Sequence, residues 1–383
     1  MPEVHGTYDP RFQRVHDVLA ANLDAGREVG ASVYVNVGGV DVVDLWGGWR
    51  EKEQTTPWTE DTLVTVFSAT KTVTSLAVLT LVDRGELDVY APVADYWPEF
   101  AQNGKERVEV RHILGHTSGV SGWELPFTFD DAFDMDGATA RLAAQRPWWE
   151  PGSASVYHAS SYGHLCAELV RRVSGKTLPE FVASELAGPL SADFYLGVPD
   201  SEFGRIATIY PVDERSRSAG VPATDTPAAK TRAGSFTGTM GEPFQVFNQP
   251  VWWRSVFGGS SGHCNARGLG RIVSTLTQDG GKLLSPKTVD LIFDEQADGV
   301  DGYYEKPIRW GIGYALASAE SNRRGPLPFL RPGERTCFWY GTGGSLAIMD
   351  VDRGVTITYV MNQCRSGKDS LNGEYYNAVY DSL

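Results

Sequence analysis

The sequence is poor in the features that define several large classes of protein. Only four cysteines occur among its 383 residues, and none of them forms a CxxC pair. This spacing argues against a zinc site or a disulfide framework, and we interpret Cys166, Cys264, Cys337 and Cys364 as reduced thiols. No run of Lys or Arg is present, and the formal net charge is −14. We therefore expect no nucleic-acid partner and no binding to anionic membranes.

Long apolar runs are missing as well. The longest, Val73–Val82, is too short and too often interrupted by Thr to span a bilayer. The first residues, Met1–Gly6, lack the positive and apolar regions of a secretory signal. We therefore expect a cytoplasmic location without a membrane anchor.

The remaining composition is that of an ordinary globular protein, with 42% hydrophobic and 21% charged residues. The chain is long enough for one large domain that carries an inserted subdomain. The 11 Trp and 16 Tyr residues indicate aromatic-lined pockets.

Two hairpin patterns lie near opposite ends of the chain. The β-branched segments Ala31–Val37 and Val40–Trp46 are joined by two glycines, which favour a tight turn. The segments Ser345–Met349 and Val355–Met361 repeat the pattern. We predict an α/β (α+β) sandwich, in which an antiparallel sheet is built from both chain ends and flanked by helices.

The sequence between the two hairpins predicts helices. Ser68–Arg84 is apolar on nearly every side, which is typical of a core helix, and Tyr162–Ser174 is a second helix that ends at a glycine. We divide the chain into a sheet domain, residues 1–90 and 245–383, and a mostly helical inserted subdomain, residues 91–244. The active site is expected between them.

Ser68 and Lys71 form an SxxK motif at the start of the first helix. At positions i and i+3 the hydroxyl and the ammonium share one face of the helix, and a lysine in a low-dielectric site has a lowered pKa. Such an amine activates serine as a nucleophile. The alternative is a helix cap beside a surface lysine, but this lysine opens a helix that is otherwise apolar.

Seven segments, in order, carry a resemblance to a known family. They are DLWGG (44–48), VFSATK (66–71), VRHILGHTSG (110–119), Pro151-Gly152 before Tyr157, ARGLGR (266–271), WGIGY (310–314) and GTGGS (341–345). This order and spacing resemble the serine β-lactamase-like superfamily, above all class C β-lactamases and family VIII carboxylesterases. The resemblance spans most of the chain and implies the β-lactamase/transpeptidase-like fold.

The resemblance assigns further roles at the site. Tyr157 matches the tyrosine that acts as general base in that family, with Lys71 stabilising its phenolate. Ala159 stands where many lactamases have an asparagine that faces the substrate, which puts β-lactam turnover in doubt. His158 and Ser160 are nearby polar candidates, with helix-start capping as the alternative.

The third motif of the family falls on Trp339-Tyr340-Gly341. Some family VIII carboxylesterases are similar in having a tryptophan at the first position of this motif. The tryptophan stands where a lactamase has a cationic side chain that binds a substrate carboxylate. The family's oxyanion hole implies the backbone N–H groups of Ser68 and Thr342. Together with Trp123, the three residues of this motif are predicted to contact substrate.

Two further pairs resemble catalytic dyads. The His116-Thr117-Ser118-Gly119 loop is a conformational element in the resembling family, and we interpret it as structural. His263-Cys264 is not expected to act as a dyad, because adjacent residues seldom face each other.

We predict a serine hydrolase, a carboxylesterase that acts on neutral short-chain or aromatic esters through an acyl-enzyme at Ser68. Acyl transfer, amide or β-lactam hydrolysis at the same site, and a non-catalytic binding or filament module are the alternatives. An α/β-hydrolase is disfavoured, because the sequence Gly343–Ala347 fails the GxSxG elbow at its last position. No metal or organic cofactor is implied, the expected partner is a small-molecule ester, and the sequence leaves the oligomeric state open.

Overall fold

The computed structural model describes residues 3–211, 225–235, 243–278, 283–331, 333–365 and 367–383. Within these residues, nine strands form one antiparallel sheet in the order β1-β3-β2-β12-β11-β10-β9-β8-β7, and a small sheet has the order β4-β6-β5. The strands are β1 Val4–Tyr8, β2 Gly30–Val37, β3 Val40–Gly48, β4 Val64–Thr65, β5 Phe194–Tyr195, β6 His263–Cys264, β7 Ala297–Asp301, β8 Lys306–Trp310, β9 Ala315–Leu316, β10 Thr336–Tyr340, β11 Leu346–Asp350 and β12 Val355–Met361.

The α-helices cover the two faces of the large sheet and form part of the middle of the chain. They are Gln13–Asp24, Thr70–Asp83, Val93–Tyr96, Val110–Leu114, Met135–Ala144, Ser161–Ser174, Leu178–Phe181, Pro227–Ala233, Pro243–Val246, Pro250–Trp253, Ala266–Val273, Pro286–Leu291, Ser321–Arg324 and Asn372–Tyr380. Of the helices described, none is both long and apolar enough to cross a membrane.

The predicted hairpins and their junction are confirmed. β2 and β3 are joined by Gly38 and Gly39, whose φ angles of 57° and 85° match the left-handed conformation of a two-residue turn. β11 and β12 form the second hairpin, and β12 pairs with β2 over seven residues. The two ends of the chain therefore meet in the middle of one sheet, as predicted.

Neighbouring residues of β12 show how the sheet is covered on both faces. Thr358 Oγ1 donates to the Ala266 carbonyl at the start of one helix, whereas the Tyr359 ring stacks on Tyr375 of the C-terminal helix at 4.6 Å. Successive strand residues point to opposite faces. The helix Ala266–Val273 and the C-terminal helix thus cover opposite faces of the sheet.

The division of the chain into a sheet domain and an insertion at residues 91–244 stays a prediction. All nine strands of the large sheet lie outside the insertion. β5 lies inside it and pairs with β6, which in turn pairs with β4. This small sheet ties the middle segment to the strand that precedes Ser68.

Candidate active site

Ser68 lies in a 3-10 turn, Phe67–Ala69, that leads directly into the helix Thr70–Asp83, which we call the serine helix. Phe67 has a φ of 47°, a conformation that side chains with a Cβ rarely adopt and that persists only where neighbours enforce it. The serine helix is buried along almost its whole length, as its apolar pattern predicted, whereas Ser68 is partly exposed. A fixed core helix thus presents the hydroxyl at its accessible end.

Lys71 is buried and is held by carbonyl groups rather than by an acid. Its Nζ donates to the carbonyls of Ala159 at 2.9 Å and Gly259 at 2.8 Å, and it lies 3.5 Å from Ser68 Oγ. No carboxylate among the described residues forms an ion pair with it. Burial lowers the pKa of Lys71 to about 7. The amine therefore exists largely in its neutral form above that pH.

Tyr157 faces the same serine from the other side. Its phenol interacts with the Ser68 side chain and accepts a hydrogen bond from Trp339 Nε1 at 3.0 Å. The Lys71 ammonium nitrogen lies 4.8 Å from the centre of the Tyr157 ring. Burial raises the pKa of Tyr157 well above its ordinary value. The structure thus brings the three predicted side chains together, with the phenol in its protonated form.

The end of β10 lies against the segment before Ser68. A Cβ added to Gly341 would lie 2.1 Å from the Val66 carbonyl oxygen, and Ser345 Oγ donates to that same oxygen at 2.7 Å. Thr342 follows in an exposed position, and its N–H donates to no carbonyl of the described backbone. This N–H is therefore available beside the 3-10 turn Phe67–Ala69, which we call the serine turn, where the oxyanion hole was predicted.

Trp123 lies apart from these groups. It is buried, its indole N–H donates to the Ala138 carbonyl at 2.9 Å, and its ring stacks on Phe127 at 4.2 Å. Its other ring contact is with His164. A role for Trp123 in substrate binding stays a prediction, and these contacts are those of a core side chain.

Two groups of aromatic side chains are connected to Ser68, one through Tyr157, which interacts with Ser68, and one through Phe67, which precedes it in the chain. The first group, which we call the tyrosine wall, is a cluster of rings in mutual contact. It consists of Tyr157, Tyr303, Tyr304, Trp310, Trp339 and Tyr340. The second group, the phenylalanine wall, consists of Phe67, Phe244, Phe247 and Trp252. Of the residues in these walls, the motifs quoted from the sequence contain Phe67, Tyr157, Trp310, Trp339 and Tyr340. The remaining members reach the site from distant segments, so no local motif marks them.

A buried polar network lies behind Tyr157. His158 Nε2 pairs with Ser118 Oγ at 2.7 Å, and His158 Nδ1 with the Val156 carbonyl at 2.8 Å. The serine of the HTSG loop thus bonds to His158 and not to the histidine two residues before it. Both side chains are 0% exposed, and the structural interpretation of this loop stays a prediction. The HTSG pattern marks the loop, but nothing local identifies its partner.

Other candidates have less specific surroundings. Ser160 precedes its helix without making a side-chain cap, and its buried Oγ has no hydrogen-bond partner among the residues that the structure describes. His263 Nδ1 bonds to the Ser261 carbonyl and not to Cys264. Among the described residues, no group of three or more His, Cys, Asp or Glu side chains is arranged to hold a metal ion.

Comparisons with known proteins agree on one family. The sequence profile of the family described as Beta-lactamase matches residues 15–381. The chain is 31% identical over 373 residues to the esterase/beta-lactamase LipL of Mycobacterium tuberculosis, covering 95% of this chain and 84% of that protein. It is 29% identical to esterase EstB of Burkholderia gladioli, covering 95% of each. A crystal structure of a family VIII carboxylesterase superposes with a TM-score of 0.89 at 32% identity over 100% of both chains.

Proposed function

Because this chain belongs to the beta-lactamase family, we propose that it is a serine carboxylesterase that hydrolyses neutral esters through an acyl-enzyme on Ser68. One observation carries the proposal. The buried amine of Lys71 lies 3.5 Å from Ser68 Oγ, and burial lowers the pKa of Lys71 to about 7. A neutral amine in this position accepts the proton that serine must lose to become a nucleophile.

Acylation follows from this arrangement. Ser68 Oγ bonds to the ester carbonyl carbon while its proton passes to Lys71, and the carbonyl electrons move onto the oxygen. The N–H groups of Ser68 and Thr342 stabilise that oxyanion. When the bond to the leaving alcohol breaks, the alkoxide takes a proton delivered by Lys71 and Tyr157. Water then repeats the sequence on the acyl-enzyme and releases the acid.

The pKa directions assign different parts to Lys71 and Tyr157. Burial raises the pKa of Tyr157, so a standing phenolate is unfavourable, whereas burial lowers the pKa of Lys71 towards neutrality. We therefore assign the base to Lys71 and a proton relay to Tyr157. This refines the role that the resemblance implied, in which Tyr157 was the base.

The neutral surroundings of the serine favour neutral esters. Trp339 donates its indole N–H to Tyr157 at the position where a lactamase-like site has a cation. Ala159 offers only its carbonyl, which accepts from Lys71, at the position where many lactamases have an asparagine side chain. The two aromatic walls place an apolar surface next to Tyr157 and Phe67, of which one interacts with Ser68 and the other precedes it in the chain. Short-chain or aromatic esters fit this surface better than substrates with a carboxylate.

The proposal extends to a cytoplasmic location, supported by the cysteines. All four are buried and free, which is usual where thiols are kept reduced. Cell fractionation with an antibody to the chain tests this point. Recovery only outside the cytoplasm would contradict it.

The central experiment measures ester hydrolysis and covalent labelling in parallel. The wild type should hydrolyse p-nitrophenyl acetate much faster than nitrocefin and should be labelled by a fluorophosphonate probe. Ser68→Ala should abolish both signals, since removal of a nucleophile costs roughly 10⁶-fold in kcat. Ser201→Ala is the matched control, because Ser201 is exposed and its hydroxyl bonds only to Glu202 among the described residues.

Equal labelling of wild type and Ser68→Ala would overturn the assignment of the nucleophile. Inactivity of the wild type on every ester tested would overturn the esterase proposal. Acyl transfer remains the alternative, and adding a primary alcohol to the assay separates it from hydrolysis. A new ester formed in preference to free acid would favour the alternative.

A further inference from the structure

Tyr157 lies in a segment that has no secondary structure of its own. Residues 154–158 are neither helix nor strand, so neither a helix nor a sheet ladder fixes the backbone around this side chain. Proton relay nevertheless requires donor and acceptor to stay within about 2.6–3.2 Å of each other. Residues outside this segment must therefore hold its backbone in place.

Three consecutive N–H groups of the segment are held by two residues that are distant in sequence. The N–H of Val156 donates to the His116 carbonyl at 3.1 Å, and the N–H of His158 donates to His116 Nδ1 at 3.2 Å. Between them, the backbone N–H of Tyr157 lies next to the carboxylate of Asp301 and favours its charged form. His116 thus accepts the N–H groups of the residues on both sides of Tyr157, and Asp301 lies at the N–H group of Tyr157 itself.

The conformation of His116 suits this role. It is buried, its φ is 60°, and its ring lies 4.9 Å from the Tyr157 ring and 4.3 Å from the Trp310 ring. Because Nδ1 accepts a hydrogen bond, that nitrogen carries no proton. Burial and the nearby His158 and Lys71 place the pKa of His116 well below its ordinary value, which keeps this acceptor available at neutral pH.

Asp301 joins the same segment to the tyrosine wall. It is 0% exposed, and one carboxylate oxygen accepts the N–H groups of Tyr303 at 2.9 Å and Tyr304 at 3.1 Å. The other oxygen accepts Trp310 Nε1 at 3.2 Å. One buried carboxylate therefore fixes Tyr157 and three of its aromatic neighbours relative to one another.

We propose that His116 and Asp301, together called the tyrosine clamp, are positioning residues that set the place of the Tyr157 hydroxyl relative to Ser68. This inference rests on the proposed function, because it assigns a role in the same site. Neither residue donates or receives the transferred proton. Their contribution is geometric, and a misplacement of about 1 Å at such a group costs roughly 100-fold in rate.

The test compares variants of His116 on p-nitrophenyl acetate. His116→Phe keeps a ring beside Tyr157 and Trp310 but removes the Nδ1 acceptor, and we expect kcat to fall about 10-fold while KM changes less than about 2-fold. His116→Asn restores a side-chain acceptor and tolerates a left-handed backbone, so it should recover most of kcat. His164→Phe is the matched control, since His164 is also fully buried but packs on Trp123 and Phe257.

A second background separates positioning from general damage. In Tyr157→Phe, His116→Phe should cause no further loss of kcat, because no hydroxyl remains to be placed. If His116→Phe does not fold, Asp301→Asn provides the same comparison. In this variant the amide nitrogen faces one of the N–H donors and cannot accept its hydrogen bond. We therefore expect Asp301→Asn to lower kcat several-fold at constant KM.

The outcomes distinguish a failure of the clamp proposal from a failure of the esterase proposal. Unchanged kcat in folded His116→Phe and Asp301→Asn overturns the clamp and leaves the esterase proposal intact. An equal further loss in the Tyr157→Phe background also overturns it. Wild-type kcat in Tyr157→Phe alone would instead remove Tyr157 from the mechanism, and the clamp with it.

Discussion

At the scale of single residues, the most informative group is the buried amine of Lys71. Two backbone carbonyls accept its hydrogen bonds, and no described carboxylate compensates its charge. Dipoles of this kind solvate an ammonium only partly, so loss of water lowers the pKa of Lys71 to about 7. If Lys71 is the base, as we propose, this pKa allows catalysis at neutral pH.

The pH dependence of kcat/KM should report Lys71. Below a pH near 7 the amine is protonated and accepts no proton from Ser68, so kcat/KM should fall about tenfold for each further unit of acidification. Above that pH the profile should level off. Initial rates on p-nitrophenyl acetate from about pH 5 to about pH 9 measure both limbs.

Two variants identify the titrating group. Tyr157→Phe should lower the plateau without moving the midpoint, whereas Lys71→Arg, whose side chain stays charged, should be inactive throughout. A flat profile, or a midpoint that shifts with Tyr157→Phe, would contradict the assignment to Lys71.

Much of the site could be predicted from residue types and order. Ser68, Lys71, Tyr157 and Trp339 were named from motifs, and the structure brings them together. The carbonyls that hold Lys71 were beyond prediction, because they lie 88 and 188 residues away and every residue has a carbonyl. Only the folded chain shows which ones meet the amine.

At the scale of elements, the end of β10 contacts the serine turn, and we propose that this contact sets the geometry of the oxyanion hole. Gly341 directly follows this strand and has no room for a side chain, because the Val66 carbonyl oxygen occupies the position. The neighbouring Ser345 hydroxyl bonds to the same carbonyl. The strand end and the nucleophile are thereby joined two residues before Ser68.

Gly341→Ala should therefore separate the strand end from the serine turn. Its Cβ would lie 2.1 Å from the Val66 oxygen, and since backbone yields less easily than a side chain, we expect the free energy of unfolding to fall by about 1–3 kcal/mol. Displacement of the Thr342 N–H should lower kcat by about 10²-fold or more. Urea unfolding and ester kinetics measure the two effects.

Gly204→Ala is the matched control, since a Cβ there meets nothing within 4 Å. It should leave both quantities unchanged. Wild-type kcat in folded Gly341→Ala would show that this contact does not set the oxyanion hole.

Local patterns predicted elements best where the elements are long. The serine helix, the second helix and both hairpins lie within one or two residues of their predicted bounds. The two-residue strands β4, β5 and β6 exist only because they pair with one another, so their sequences carry no period to detect. Tertiary pairing, and not propensity, defines them.

At the scale of the whole molecule, Glu28 links the two ends of the chain. It precedes β2, and its Oε1 accepts the hydroxyls of Tyr359 at 2.5 Å and Tyr375 at 3.2 Å, which lie on β12 and the C-terminal helix. Its Oε2 is buried and has no hydrogen-bond partner within the described part of the chain. Loss of water raises the pKa of Glu28 to about 7, although the two tyrosines, Arg365 and Arg27 act in the opposite direction.

The sign of the resulting stability effect follows from proton binding. Between the ordinary value of 4.5 and about 7, the folded chain binds a proton at Glu28 that the unfolded chain does not. The stabilisation is therefore fully present below the lower value and is lost as the pH rises through the upper one. Its full extent is roughly 3 kcal/mol.

Glu28→Gln removes this titration, because an amide stays neutral. Relative to wild type, the variant should gain free energy of unfolding as the pH rises from about 5 to about 8, by up to roughly 3 kcal/mol. Urea unfolding at several pH values measures the difference, and other titrating groups cancel because both chains share them. Glu86→Gln, at an exposed position, should show no such trend. A difference between Glu28→Gln and wild type that is constant with pH would mean that Glu28 is charged in the folded chain at every pH tested, and that its hydrogen bonds outweigh its burial.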